Sequence, residues 1–113
     1  MRVAVVGSRS LDDRAYSVLE THIPAGTSEI ISGGATGADA LAERYAHEHG
    51  LPATIIKPDY KTYDKKAPLI RNSQIVAESD FTLVLWDGTS RGSLNVIMTC
   101  IRTNKPFKVL LVE

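Results

Sequence analysis

The sequence predicts an α/β fold: one three-layer domain over residues 1–113, in which helices cover both faces of a five-stranded parallel sheet of order 3-2-1-4-5. Short apolar runs alternate with helical patterns along the whole chain, which is the pattern of stacked βα units. The first, fourth and fifth runs are nearly continuous in Val, Leu and Phe, as strands buried on both faces require. A chain of 113 residues also suits one core, burying roughly two-thirds of the surface that the unfolded chain exposes.

The elements follow in chain order. Val3–Val6 is the first strand. Ser10 and Asp13 match a capping box for the first helix, whose apolar stripe is Leu11, Ala15, Val18 and Leu19. Glu29–Ser32 is the second strand. The second helix places Ala38, Leu41, Ala42, Tyr45 and Ala46 on one face and Glu43, Arg44, His47 and Glu48 on the other; Gly50 and Pro52 stop it. Ala53–Lys57 is the third strand. Pro68 suits the first turn of a third helix running to about Ser79. Phe81–Trp86 is the fourth strand, and Leu94, Ile97, Met98 and Ile101 mark a last helix closed by Asn104 and Pro106. Phe107–Val112 completes the sheet.

Composition narrows the function. Thirteen basic residues balance thirteen acidic ones, so the chain lacks the global positive field of a non-specific nucleic-acid binder, which argues against a nucleic-acid partner. Cys100 is the single cysteine and lies in an apolar helical pattern, so neither a disulfide framework nor a CxxC metal site is expected. His47 and His49 sit two apart on a helix and diverge by about 200°, too far to share one ion. No metal and no cofactor is therefore expected. The N-terminus runs straight into a strand and no apolar run approaches a membrane span, so a cytoplasmic protein without a membrane partner is the expectation.

With right-handed crossovers and strand order 3-2-1-4-5, the order reverses between strands one and four, and a crevice opens at their carboxyl ends. Three loops rich in Gly and Ser converge there: "GSRS" at Gly7–Ser10, "SGGATGAD" at Ser32–Asp39 and "WDGTSRGS" at Trp86–Ser93. Three glycines between positions 33 and 37 exceed what a turn needs, which implies that something approaches the backbone. Amides at a helix N-terminus favour a phosphate, and tight strand–helix packing is the plain alternative. No GK[ST] follows, so this is not a Walker loop; "GSRS" likewise lacks G-x-G-x-x-G.

"GSR", "SGGATGADALAERYA", "APLIRNSQIVAESD" and "VLWDGTSRGSLNVI", in that order over nearly the whole chain, resemble the SLOG superfamily and its YspA or cpYpsA-related family. The resemblance implies a Rossmann-like domain that binds or senses a nucleotide or nucleotide derivative through a phosphate loop. Relatives include the Lonely Guy phosphoribohydrolases and the DNA-processing protein A family, and related domains commonly pair, which implies a homodimer. The implied ligand-binding positions are Gly7, Ser8 and Arg9; Ser32, Gly33, Gly34, Thr36, Gly37 and Asp39; Arg71 and Asn72; and Asp87, Gly88, Ser90, Gly92 and Ser93.

Within that set, relatives carry a basic residue where this chain has Thr36, so Arg9 or Arg71 would supply the charge. Asp39 stands in a first helical turn, where a carboxylate is favoured with or without a ligand. Arg71 matches an arginine implicated in catalysis in the phosphoribohydrolases. Their P-G-G-x-G-T-x-x-E motif ends in a glutamate that aligns with Val96, and valine neither activates water nor stabilises an oxocarbenium ion. Asp87 and Arg71 are the remaining catalytic candidates, and hydrolytic cleavage of a nucleotide is the alternative function. "KPDYKTYDKK" at Lys57–Lys66 reads as a solvated connection, a lid or a base-stacking surface, and Trp86 as a stacking platform or a core residue.

Overall fold

A computed structural model describes residues 1–112. Its strands are β1 (Arg2–Gly7), β2 (Glu29–Ser32), β3 (Ala53–Ile55), β4 (Phe81–Trp86) and β5 (Phe107–Leu111). All pairs are parallel, in the order β3-β2-β1-β4-β5. The helices are α1 (Tyr16–His22), α2 (Ala38–Glu48), the single turn α3 (Tyr60–Tyr63), α4 (Ala67–Glu78) and α5 (Arg91–Thr103).

Alternation along β1 divides the core in two. Val3 and Val5 point to one face and pack with Leu19 of α1 and Leu41 and Ala42 of α2. Ala4 and Val6 point to the other, against Ile75 and Val76 of α4 and Val96, Ile97 and Cys100 of α5. Both faces of the central strands are thus dry, which is why they read as continuous apolar runs.

Three local expectations need correction. Asp12, not Ser10, caps the first helical segment, accepting the amide of Arg14 at 3.0 Å; Ser10 Oγ instead donates to Asp87 Oδ2 at 2.9 Å. The buried face of α5 runs through Ser93, Val96, Ile97 and Cys100, leaving Leu94, Met98 and Ile101 exposed. β3 stops at Ile55, just before Lys57 and Pro58, because proline has no amide to continue a ladder. The Lys57–Lys66 connection contains α3, capped by Asp59 through the amide of Thr62, and a following 3-10 turn at Asp64–Lys66. Trp86 is half-buried against the α4–α5 side of the core, and its Nε1 donates to the carbonyl of Ser90 at 2.9 Å.

Candidate functional site

The carboxyl ends of β1, β2 and β4 bring the three Gly- and Ser-rich loops together with the first half of α4. Two adjoining basins open there. The first, about 360 Å³, lies between the β1 loop, α4 and the start of α5, with Val6, Ile75 and Val96 as its apolar floor. Gly7, Arg9, Asp39, Arg71, Asn72, Asp87, Ser90, Gly92 and Ser93 line it, so nine of the expected positions meet there. The second basin, about 420 Å³, is lined by Gly33, Gly34 and Thr36, with Arg9, Ala35 and Arg71 shared between the two. Ser8, Ser32, Gly37 and Gly88 line neither.

Ser8 and Ser32 are fully buried and act within the fold. Ser8 Oγ accepts the amide of Asp87 at 2.9 Å, and its carbonyl accepts the amide of Ala38 at 3.1 Å, tying β1 to β4 and to the start of α2. That contact explains Gly37: a Cβ there would lie 2.3 Å from the Ser8 carbonyl oxygen, and its φ of 69° is left-handed. At Gly33 a Cβ would lie 2.5 Å from Arg71 Nη1. The close approach implied by the surplus glycines is therefore made by the protein's own groups at both positions. Gly34 is crowded by Ile55, with the stem of Lys57 beside it.

Arg71 is 8% exposed and forms no salt bridge among the described residues. Its Nη1 donates to the Gly33 carbonyl at 2.9 Å and its Nε to Asn72 Oδ1 at 3.0 Å. A guanidinium has five N–H donors, so two bonds leave three without a partner inside the described residues. Burial lowers its pKa from the usual arginine value; nearby Asp39 opposes that shift and Arg9 adds to it. Asn72 in turn donates from Nδ2 to Asn95 Oδ1 at 3.0 Å, so α5 fixes the residue that orients Arg71.

Asp39 is 5% exposed, and its Oδ2 accepts the amide of Ala35 at 3.1 Å. Burial raises its pKa, against the Ala35 amide and the charges of Arg71 and Arg9. Asp87 has the opposite balance. Its Oδ1 accepts the amides of Thr89 and Ser90, both at 2.9 Å, and the Thr89 hydroxyl at 3.1 Å; Ser10 takes Oδ2. These donors, the Thr89 and Ser90 amides first, hold the carboxyl well below its ordinary range. It braces the loop before α5 and is a weak base.

Ser10, Lys57, Pro58, Pro68 and Leu69 also line the basins and were not singled out as ligand contacts from the sequence. Lys57 and Pro58 follow directly from the early end of β3, whereas the places of Pro68 and Leu69 depend on how α4 lies over the sheet.

The family's sequence profile matches residues 1–63, more than half of the chain. The chain belongs to the YspA, cpYpsA-related SLOG family. A comparison with curated proteins finds no match. Among solved structures, this SLOG chain is similar to DNA processing protein A (DprA) from Streptococcus pneumoniae, with a TM-score of 0.81 at 19% identity. The likeness covers 99% of the present chain and 50% of DprA, so the chain spans about half the length of that protein. The expectation set against a nucleic-acid partner is corrected here, because a DNA-processing protein is built on the same fold. Net charge carries no argument against such a partner, because it sums over the whole SLOG chain, while Arg9, Lys57 and Arg71 gather on one basin. Among the described residues no helix is long and apolar enough to cross a membrane.

Asp39 generates a stability prediction. Its folded pKa is raised above the unfolded one, so the folded state holds the proton more tightly, and stability falls as pH rises from about 3.9 through the folded value. Asp39→Asn removes that loss while leaving an acceptor for the Ala35 amide. Thermal melts near neutral pH should show the variant more stable than the parent, with the difference shrinking in acid. A variant less stable at neutral pH would show that the carboxylate is net stabilising.

Proposed function

We propose that this chain is a cytoplasmic binding or sensing module for a nucleotide or nucleotide-derived small molecule, which it holds in the paired basins through Arg71 and the glycine loop. The observation that carries the reading is Arg71: nine-tenths buried, without a carboxylate partner among the described residues, and with three N–H donors beside two cavities. A desolvated cation with unused donors favours a bidentate oxyanion such as phosphate. Membership of the SLOG family supports a nucleotide-related role. The apolar floor of Val6, Ile75 and Val96 suits a flat, weakly polar group, and Asp39 beside it suits hydroxyl donors.

Binding is favoured over N-glycosidic hydrolysis by the two positions closest to the chemistry. Val96 is buried in the apolar floor, and Asp87 is committed to four hydrogen bonds that occupy both its oxygens and make it a weak base. A panel of nucleoside mono- and diphosphates tests the reading. At about 100 times its dissociation constant a true ligand should stabilise the fold by about 2.7 kcal/mol, on the order of 10 °C in melting temperature. Arg71→Gln should abolish the shift and Arg71→Lys should weaken it. Chromatography of the same mixtures should show no free base; rapid release, lost in Asp87→Asn, would establish the hydrolase alternative. No shift with any nucleotide would defeat the proposal.

Self-association into a homodimer belongs to the same reading. Leu94, Met98 and Ile101 project from one side of α5 at 44–56% exposure, a stripe that a second copy would cover. Sedimentation equilibrium should find a dimer at micromolar concentration and a monomer for Met98→Glu. A monomeric parent protein would remove this part of the proposal.

A further inference from the structure

Resting on that reading, we propose that the ligand's phosphate end lies in the second basin and carries a pyrophosphate, and that Lys57 sets the preference for such ligands over monophosphates. The two basins differ in charge. Around the first, Arg9 and Arg71 are balanced by Asp39 and Asp87. Around the second, Arg9, Lys57 and Arg71 contribute three cations and no carboxylate lines the wall. None of the three forms a salt bridge among the described residues.

A phosphate in the first basin would sit beside two carboxylates, whereas the wall of the second carries three cations, and the one carboxylate near it, Asp39, lies behind Ala35 with its Oδ2 taken by the Ala35 amide. The amides of Gly34 and Thr36 have no hydrogen-bond partner among the described residues, while those of Ala35 and Ala38 are taken by Asp39 and Ser8. The neutral, apolar-floored basin is thereby left to the nucleoside part, with Arg71 at the junction.

Charge matching decides the number of phosphates. A monophosphate carries about −1.5 to −2 near neutrality, which Arg9 and Arg71 already balance. A third cation has work only if a second phosphate is present. Lys57 is placed for that: its stem runs beside Gly34, where a Cβ would stand 3.5 Å from Lys57 Cε. It is exposed and has no salt bridge among the described residues, a point charge on a flexible stem in a basin that the buried fork of Arg71 also lines.

The test titrates the full chain at low salt with inorganic phosphate and inorganic pyrophosphate, each read by calorimetry and thermal shift. Pyrophosphate should bind at least about tenfold more tightly. Lys57→Gln should erase most of that preference while leaving phosphate affinity nearly unchanged, and Lys61→Gln, on the neighbouring turn, should behave as the parent. The same Lys57→Gln change should cost a nucleoside diphosphate more than its monophosphate. Equal affinity for the two anions in the parent, or an equal loss of both in Lys57→Gln, would overturn the inference while leaving nucleotide binding intact. A failure of every nucleotide and both anions to bind would instead defeat the underlying reading and this inference with it. A short oligothymidylate that binds more tightly than pyrophosphate and depends on Lys57 would assign the basin to a nucleic-acid strand and also overturn it.

Discussion

The guanidinium of Arg71, laid across the end of β2, is the contact on which the geometry of this site depends. It leaves α4 and reaches the carbonyl of Gly33, and a chain of side-chain hydrogen bonds runs back from it through Asn72 to Asn95 on α5. One side chain thus fixes the glycine loop relative to both helices on that face of the sheet. It also bears on sequence elsewhere, since a Cβ at position 33 would lie 2.5 Å from its Nη1 and the guanidinium would have to leave its seat. Removing the charge would disturb a loop, a helix pair and both basins together.

That arrangement carries an electrostatic cost. Burial disfavours the charged forms of both Arg71 and Asp39, and no direct ion pair joins them. A desolvated cation in an open crevice is typical of a site that gives up stability for function. Asp87 shows the contrast: every contact it makes favours ionisation, and its role is to hold the turn before α5 in shape.

β2 and β4 coincide with Glu29–Ser32 and Phe81–Trp86, and burial on both faces shows as unbroken apolar runs in β1 and β4; β5, equally apolar in sequence, is an edge strand with no fully buried residue, which corrects the expectation that it is covered on both faces. The sheet order followed from handed crossovers, and nine of the sixteen expected ligand positions line the first basin. What local pattern cannot carry is the choice a side chain makes between near and distant partners. Ser10 has the spacing of a helix cap, yet its hydroxyl is engaged 77 residues away on Asp87. The stripe of Leu94, Met98 and Ile101 has helical spacing, but periodicity does not say which stripe meets the sheet, and the buried one contains Ser93 and Thr99. Gly33 and Gly37 drew attention to a close approach without revealing that the approaching groups come from Arg71 and Ser8.

A crystal structure of the protein with a bound nucleotide examines the central claim most directly. The account predicts a phosphate oxygen within hydrogen-bond distance of Arg71 Nη2, with the Arg71–Gly33 and Arg71–Asn72 bonds intact and the nucleoside over Val6, Ile75 and Val96. A nucleotide bound with its phosphates away from Arg71, or with that side chain swung out of its seat beside Gly33, would contradict it.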